Sequence, residues 1–355
     1  MVKTWDVIVI GGGIIGLSLA IELRKSGAEV LVVERGEPGR EASHAAGGML
    51  VDSPLETPVA LRSLAKISAR MYPEFVHELE DESGMNVDLR EHGTLRLAAA
   101  PEELDRASDG EIVTDPDLAK LEPMLLPTAL RMVFLKERSV DPRALTASAL
   151  KAAKHRKVDI ASGSPAVEVV ISNGRVAGVR TDKATYTAPA LVNCAGAWAG
   201  QLSPHHFPVR PRKGQMLNVV GAPILRHVIR APEVYLIPRS DGRILIGATV
   251  EDVGFDKRTD RETIQRLHAA AIRLVPGLTK ARVHEAWAGL RPGTPDDLPI
   301  LGQARTPGYF VATGHFRDGI LLAPVTAHVM AEVLGGFQPE HDISAFTSMR
   351  FSDID

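Results

Sequence analysis

The stretch from Asp6 to Glu34 constrains this chain more than any other. Asp6-Val-Ile-Val-Ile10 is short, apolar and β-branched, the pattern of a strand buried on both faces. Gly11, Gly12 and Gly13 end it. Ile14 to Ser26 then reads as a helix, closed by Gly27, and Glu29 to Glu34 reads as a second buried strand. A strand–helix–strand unit this short joins two parallel strands by a right-handed crossover. The expected fold class is therefore α/β, built on a parallel sheet covered by helices.

Between the first strand and the helix lies Gly11-Gly-Gly13-Ile-Ile-Gly16, which fits G-x-G-x-x-G. Gly11 permits the tight turn, Gly13 lets backbone approach a pyrophosphate, and Gly16 lets the helix pack on the strand. The helix start adds free N–H groups and the positive end of its dipole. Glu34 follows Gly16 by 18 residues, at the end of the second strand, where its carboxylate can accept from ribose hydroxyls. The motif alone does not separate FAD from NAD. Its N-terminal position favours FAD, because two later segments have the composition to hold a flat ring. One is Ala42-Ser43-His44-Ala45-Ala46-Gly47-Gly48-Met49. The other is Gly314-His315-Phe316-Arg317-Asp318-Gly319-Ile320-Leu321, ahead of an apolar helix expected over 319–334. The start of that helix would place N–H groups toward the flavin carbonyl.

Further elements follow the same logic. Residues 59–84 read as helical, and 93–98 alternate like a half-buried strand. Residues 101–128, with four prolines, read as an irregular or shortened helical excursion. Asp141-Pro142 starts a helix over 143–154. Asn173-Gly174 between two β-branched runs predicts a hairpin, with Thr185–Thr187 as a third strand. Val234–Pro238 and Arg243–Thr249 predict a second hairpin, 259–274 a helix, and Ala190–Asn193 and Tyr309–Thr313 buried strands. Parallel-type segments at the start, middle and end, with hairpins between, imply two interleaved domains.

Composition narrows the function. The 41 basic and 44 acidic residues give a net charge of −3, so no cationic surplus exists for nucleic acid. Cys194 stands alone, excluding an intrachain disulfide and favouring a reducing, cytoplasmic setting and an inert core thiol. The uncharged run from Val7 to Ile21 is too short to span a membrane and is interrupted by glycines. The histidines, including adjacent His205 and His206, show no metal-ligand spacing, and no G-x-S-x-G elbow is present.

Taken together, these segments resemble the D-amino-acid oxidase-type FAD-dependent oxidoreductases, and within them the glycine oxidase group of thiamine synthesis. The resemblance is carried by Val7–Gly16, Glu34-Arg35, Ala42–Met49, Asn193-Cys-Ala-Gly-Ala-Trp198, Arg212-Lys-Gly-Gln215, Tyr235–Arg239, Gly289-Leu-Arg-Pro-Gly-Thr-Pro-Asp296 and Gly314–Pro324. It implies a glutathione-reductase-type, Rossmann-like FAD domain (1–84, 139–214 and 290–355) interleaved with an antiparallel-sheet substrate domain (85–138 and 215–289). It implies noncovalent FAD, held by Ile14, Ile15, Glu34, Arg35, Ala42, Ser43, Gly47, Gly48 and Met49, with the backbone of Val167 offered to the adenine. Ala195 and Gly196 belong to the same cofactor set, and His315 to Leu321, including Phe316, Asp318, Gly319 and Ile320, would border the ring. Arg291 matches the arginine that binds the substrate carboxylate, and Tyr235 and Arg317 match positions near the substrate. Two departures stand out: 101–128 is shorter than usual, and Gly47 replaces an alanine common in relatives.

Physical chemistry gives Arg291 a case of its own, since a guanidinium binds a carboxylate bidentately. Gly-Leu-Arg-Pro-Gly-Thr-Pro reads as a proline-stiffened loop. The alternative for Arg291 is an ion pair with Asp296 or Asp297. For Tyr235 it is a half-buried strand position, and for Arg317 an ordinary loop arginine. Trp198 and Trp287 read as packing residues. The resulting expectation is oxidation of a small zwitterionic amine or amino acid, such as glycine, sarcosine or a D-amino acid. Hydride passes to flavin, the imine hydrolyses to a keto or aldehyde acid, and oxygen yields hydrogen peroxide. The alternatives are a dehydrogenase serving a quinone or carrier, and a non-catalytic flavoprotein subunit. A homo-oligomer is expected from the resemblance.

Overall fold

The computed structural model describes residues 3–98, 110–127, 130–221 and 225–351. Of the expected excursion over 101–128, residues 101–109 and 128 lie outside the described residues. The remainder forms a short strand, Glu111–Val113, and a short helix, Asp115–Leu121.

The opening unit forms as its sequence dictates: β1 (Val7–Ile10), α1 (Ile14–Lys25) and β2 (Val30–Val33). β1 and β2 pair in parallel, Val7 opposite Val30. They sit within a six-stranded sheet whose order is Ile300–Gln303, Tyr309–Thr313, Ala190–Asn193, β1, β2, Asp159–Ala161. All pairs are parallel except the first, which is antiparallel. Both faces are buried, which explains the unbroken apolar runs. Val7 and Val9 pack under helices with Leu17 and Val329, whereas Ile8 and Ile10 pack beneath the Ala166–Thr187 meander. In that meander the hairpin turns at Asn173 and Gly174, both at positive φ, and Thr185–Thr187 adds the third strand. Asp141 caps its helix (Pro142–His155), accepting from Arg143 and Ala144 N–H.

A second, eight-stranded sheet runs Arg282–Gly293, Arg210–Val220, Ile244–Gly247, Tyr235–Pro238, Val228–Arg230, Thr94–Ala98, Arg131–Leu135, Glu111–Val113. Its pairs are antiparallel save Val228–Arg230 with Thr94–Ala98. The helix Arg261–Leu274 covers one face through Leu267, Ala270 and Ala271.

Two expectations need correction. The segment around Arg291 is not a loop: it ends the strand Arg282–Gly293, with Arg291 opposite Arg212 and Pro292 opposite Pro211. This strand is the sheet edge, where a proline without an N–H breaks no ladder. The closing helix starts at Ala323, not Gly319. Tight turns precede it, Leu322 N–H donating to Asp318 C=O at 2.8 Å, and Pro324 fixes the start of the helix.

Candidate flavin and substrate site

One cavity of about 1100 Å³ lies between the two sheets. It exceeds the ~300–1,000 Å³ usual for small-ligand sites, so a dinucleotide and a small substrate can share it. The carboxyl ends of β1, β2, Ala190–Asn193 and Tyr309–Thr313 open into it, the place where parallel sheets bind ligands.

The glycine turn forms one wall. Gly11, Gly13, Ile14 and Ile15 line the cavity. Gly11 has φ +110°, and a side chain there would stand 2.4 Å from the Cys194 carbonyl. Gly16 does not line the cavity; its missing Cβ would lie 2.0 Å from the Gly11 carbonyl, so its role is packing. α1 has no side-chain cap of its own and no acid in its first turn. No negative side chain of the helix itself therefore offsets its positive end, which favours an anion there. Ile14 N–H, at that end, donates to Ser43 Oγ at 3.0 Å, and both residues line the cavity.

Glu34 is buried, and both its oxygens are oriented by backbone. Oε2 accepts from Gly12 N–H at 2.8 Å and Oε1 from Gly36 N–H at 2.9 Å. Arg35 stacks on Trp198, 3.4 Å from the ring centroid, and pairs with Glu41. Trp198 is thus part of the cavity wall as well as a packing residue, while Trp287 donates to Ala45 C=O at 3.1 Å. Ala42, Ser43, Gly47, Gly48 and Met49 all line the cavity, on α2 (Ala42–Ala45), β3 (Met49–Leu50) and their link. Gly48 has φ +76°, and a Cβ on it would meet the Val140 carbonyl at 2.0 Å. A Cβ on Gly47 would sit 2.8 Å from Ile237 Cδ1, tying this segment to the eight-stranded sheet.

Further along, Ala195, Gly196 and the run from His315 to Ile320 line the cavity. Val167 and Leu321 do not. Val167 is 49% exposed, and its neighbours Pro165 and Ala166 take the place at the rim. Leu321 is buried, its carbonyl accepting from Ser68 Oγ at 2.6 Å. His315 is held neutral, since burial pulls it down to about 3, and its Nε2 meets Thr326 Oγ1 at 3.1 Å. Burial pushes the Asp318 carboxyl up to about 7, against the pull of Arg317.

The wall built by the eight-stranded sheet carries Arg291 and Tyr235, while Arg317 reaches the cavity from the His315–Ile320 run. Arg291 Nη1 donates to the Thr249 carbonyl at 3.1 Å, and its guanidinium lies over Gly214, where a Cβ would be 2.3 Å from Nη1. The Asp296 alternative fails, because Asp296 pairs with Arg350 at 2.7 Å. Among the described residues no carboxylate stands within ion-pair distance of Arg291 or Arg317. Burial raises the Tyr235 hydroxyl, and adjacent Arg291 pulls it partway back. Cys194 is a buried thiol, pushed up by burial.

Among the lining residues that sequence reasoning missed are three charged ones that touch each other, Glu56, Arg96 and Arg230. A signal was present for the two arginines. Arg96 interrupts Leu95 and Leu97 inside its strand, and Arg230 ends the apolar strand begun by Val228 and Ile229. Away from the cavity, three potential metal ligands, His328, Glu332 and Glu340, gather on the outside of the closing helix. No described helix is long and apolar enough to cross a membrane.

The sequence matches a family model, "FAD dependent oxidoreductase", over residues 6–333. The chain belongs to this family. It is therefore an FAD-dependent oxidoreductase with a mixed α/β, Rossmann-like FAD-binding fold. It is 37% identical to the bifunctional protein ThiO/ThiG of Trichormus variabilis, over 98% of this chain and 55% of that protein. The chain spans about half the length of the curated ThiO/ThiG relatives it matches. It is 33% identical to glycine oxidase of Geobacillus kaustophilus, over 99% of this chain and 98% of that one. The crystal structure of glycine oxidase from that organism superposes with a TM-score of 0.93 at 30% identity, covering 98% of this chain and 99% of the other.

The residues present fit FAD. The start of α1, where Gly13 supplies no side-chain cap, faces the cavity, Gly11, Gly16 and Gly48 occupy positions where a Cβ would strike backbone, and the Glu34 carboxylate is pre-oriented. Those features suit pyrophosphate and ribose respectively.

Proposed function

We propose that this enzyme oxidatively deaminates glycine and other small amines or amino acids, sarcosine and D-amino acids among them. The observation that carries the reading is Arg291, an arginine without a carboxylate partner, facing the cavity that also contains the dinucleotide cradle. The glycine oxidases among its relatives support the substrate class.

In this reading Arg291 binds the substrate carboxylate, and Tyr235 and Arg317 border the same space. Thr249 C=O and Gly214 fix the guanidinium, so little ordering is left to occur on binding. When bound, the flavin supplies the two-electron oxidation of the substrate's α C–H bond. The protein's work is to orient that bond and exclude water, leaving the imine product to hydrolyse after release. Neutral His315 adds no charge at the ring-side wall. Molecular oxygen is the proposed acceptor, giving hydrogen peroxide. We also propose the interleaved domain plan of 1–84, 139–214 and 290–355 with 85–138 and 215–289, a cytoplasmic setting and a homo-oligomer.

The test is spectroscopic. Glycine, sarcosine, D-alanine and D-proline are added anaerobically to the yellow holoenzyme, air is admitted, and peroxide is assayed. Bleaching followed by peroxide is expected. Bleaching without peroxide selects a dehydrogenase serving another acceptor; no bleaching by any amine overturns the reading.

A further inference from the structure

The eight-stranded sheet presents an unbroken cross-strand row to the cavity. Met216 pairs with Gly247, Gly247 with Tyr235, Tyr235 with Arg230, and Arg230 with Arg96. Directly opposed residues share a sheet face, and all five line the cavity. Strands are spaced by about 4.8 Å, so Arg230 and Arg96 lie one and two strands beyond Tyr235, which borders the proposed carboxylate site at Arg291.

Glu56, on the link after β3, bridges the two arginines. Its Oε1 accepts from Arg96 Nε at 2.8 Å and its Oε2 from Arg230 Nη1 at 2.9 Å. The partners differ in exposure. Arg230 is strand-fixed, 6% exposed, and keeps a second partner, Glu137, at 2.9 Å. The Glu56 side chain is 37% exposed. Burial opposes its charge, but Arg230 and Arg96 outweigh that and hold its carboxyl below the usual range. The buried Glu137 carboxyl is instead raised by burial. Glu56 thus occupies the cavity side of a pair of arginines already positioned by the sheet. Another carboxylate in its place would leave neither arginine without an anion, which avoids the cost of an unpaired buried charge.

We propose that Arg96 and Arg230 form a second anion subsite, filled by Glu56 when the substrate has one carboxylate and open to a distal carboxylate when it has two. Resting on the amino-acid reading above, this extends the substrate class to amines carrying a second acidic group.

The experiment uses unreactive probes in which an ether oxygen replaces the amine. Oxydiacetate and ethoxyacetate differ only in the distal carboxylate. Binding to the holoenzyme is read from perturbation of the flavin absorbance, so no turnover is needed. The Kd ratio, ethoxyacetate over oxydiacetate, cancels general effects of each substitution. Glu56→Gln keeps the bridge shape while removing its charge, and the ratio should rise ~10-fold or more over wild type. Arg96→Gln should bring the ratio down toward one. Equal ratios in wild type and Glu56→Gln, or a Glu56→Gln preference that survives addition of Arg96→Gln, overturn the subsite. Reduction of wild-type flavin by glycine, measured in parallel, reports separately on the reaction. Its failure beside a responsive ratio would refute the reaction and leave the subsite.

Discussion

The glycine wall of the cavity meets its ligand with backbone, whereas the wall built by the eight-stranded sheet meets it with side chains. On the first, Gly11, Gly13 and Gly48 contribute by what they lack, and only Glu34 works through a carboxylate. On the second, Arg291, Tyr235, Arg230 and Arg96 project from four different strands. A backbone cradle tolerates almost no added atom. A side-chain wall tolerates substitution structurally while changing what it binds. The difference separates affinity for the cofactor from selection of the substrate.

The largest expected effect is on the backbone wall. Gly16→Val places side-chain atoms where even a Cβ is 2.0 Å from the Gly11 carbonyl. The protein should purify without flavin, as read by the absence of the visible bands. Retained yellow colour would show that this contact can relax. Next, Arg291→Ala should keep its flavin yet raise KM for glycine about 100-fold, the loss expected for one partner of a charge-assisted pair. An unchanged KM would remove Arg291 from substrate binding.

A smaller effect concerns pH. Asp318 is raised by burial to about 7 in the folded protein, well above its ordinary carboxylate value. The folded state therefore holds this proton more tightly than the unfolded state. Its contribution to stability is present below about pH 4 and is lost as pH rises toward 7. Asp318→Asn removes that titration. In flavin-stripped protein, the Tm of the variant relative to wild type should climb between pH 4 and 7 and level off above. A pH-independent difference would show that the half-buried setting of Asp318 does not hold its carboxyl up. The smallest effect is predicted for Val167→Ala. Val167 lies outside the cavity, so flavin affinity should change less than about twofold, within the usual range of exposed substitutions.

The same contrast explains what the sequence disclosed. The cradle is local: strand, glycine turn, helix and acid fall within Asp6–Glu34, so periodicity and spacing sufficed. The Asn173-Gly174 hairpin and the Asp141 cap were legible for the same reason. The substrate wall is not local. Arg96 and Arg230 become neighbours only through a parallel pairing across 134 residues of chain, and Glu56 joins them from a third element. The Arg291 segment misled because prolines read as loop signals, although an edge strand accommodates them. The helix start at Ala323 was placed too early because apolar residues 320–322 continue its pattern while forming turns.

The central claim is that one cavity holds the flavin on its backbone wall and the substrate carboxylate on Arg291. Titrating the holoenzyme with glycolate, a carboxylate that lacks the amine, tests it most directly. Saturable perturbation of the flavin spectrum in wild type, lost in Arg291→Ala with flavin content intact, is the predicted result. Equal glycolate affinity in the two proteins would contradict it.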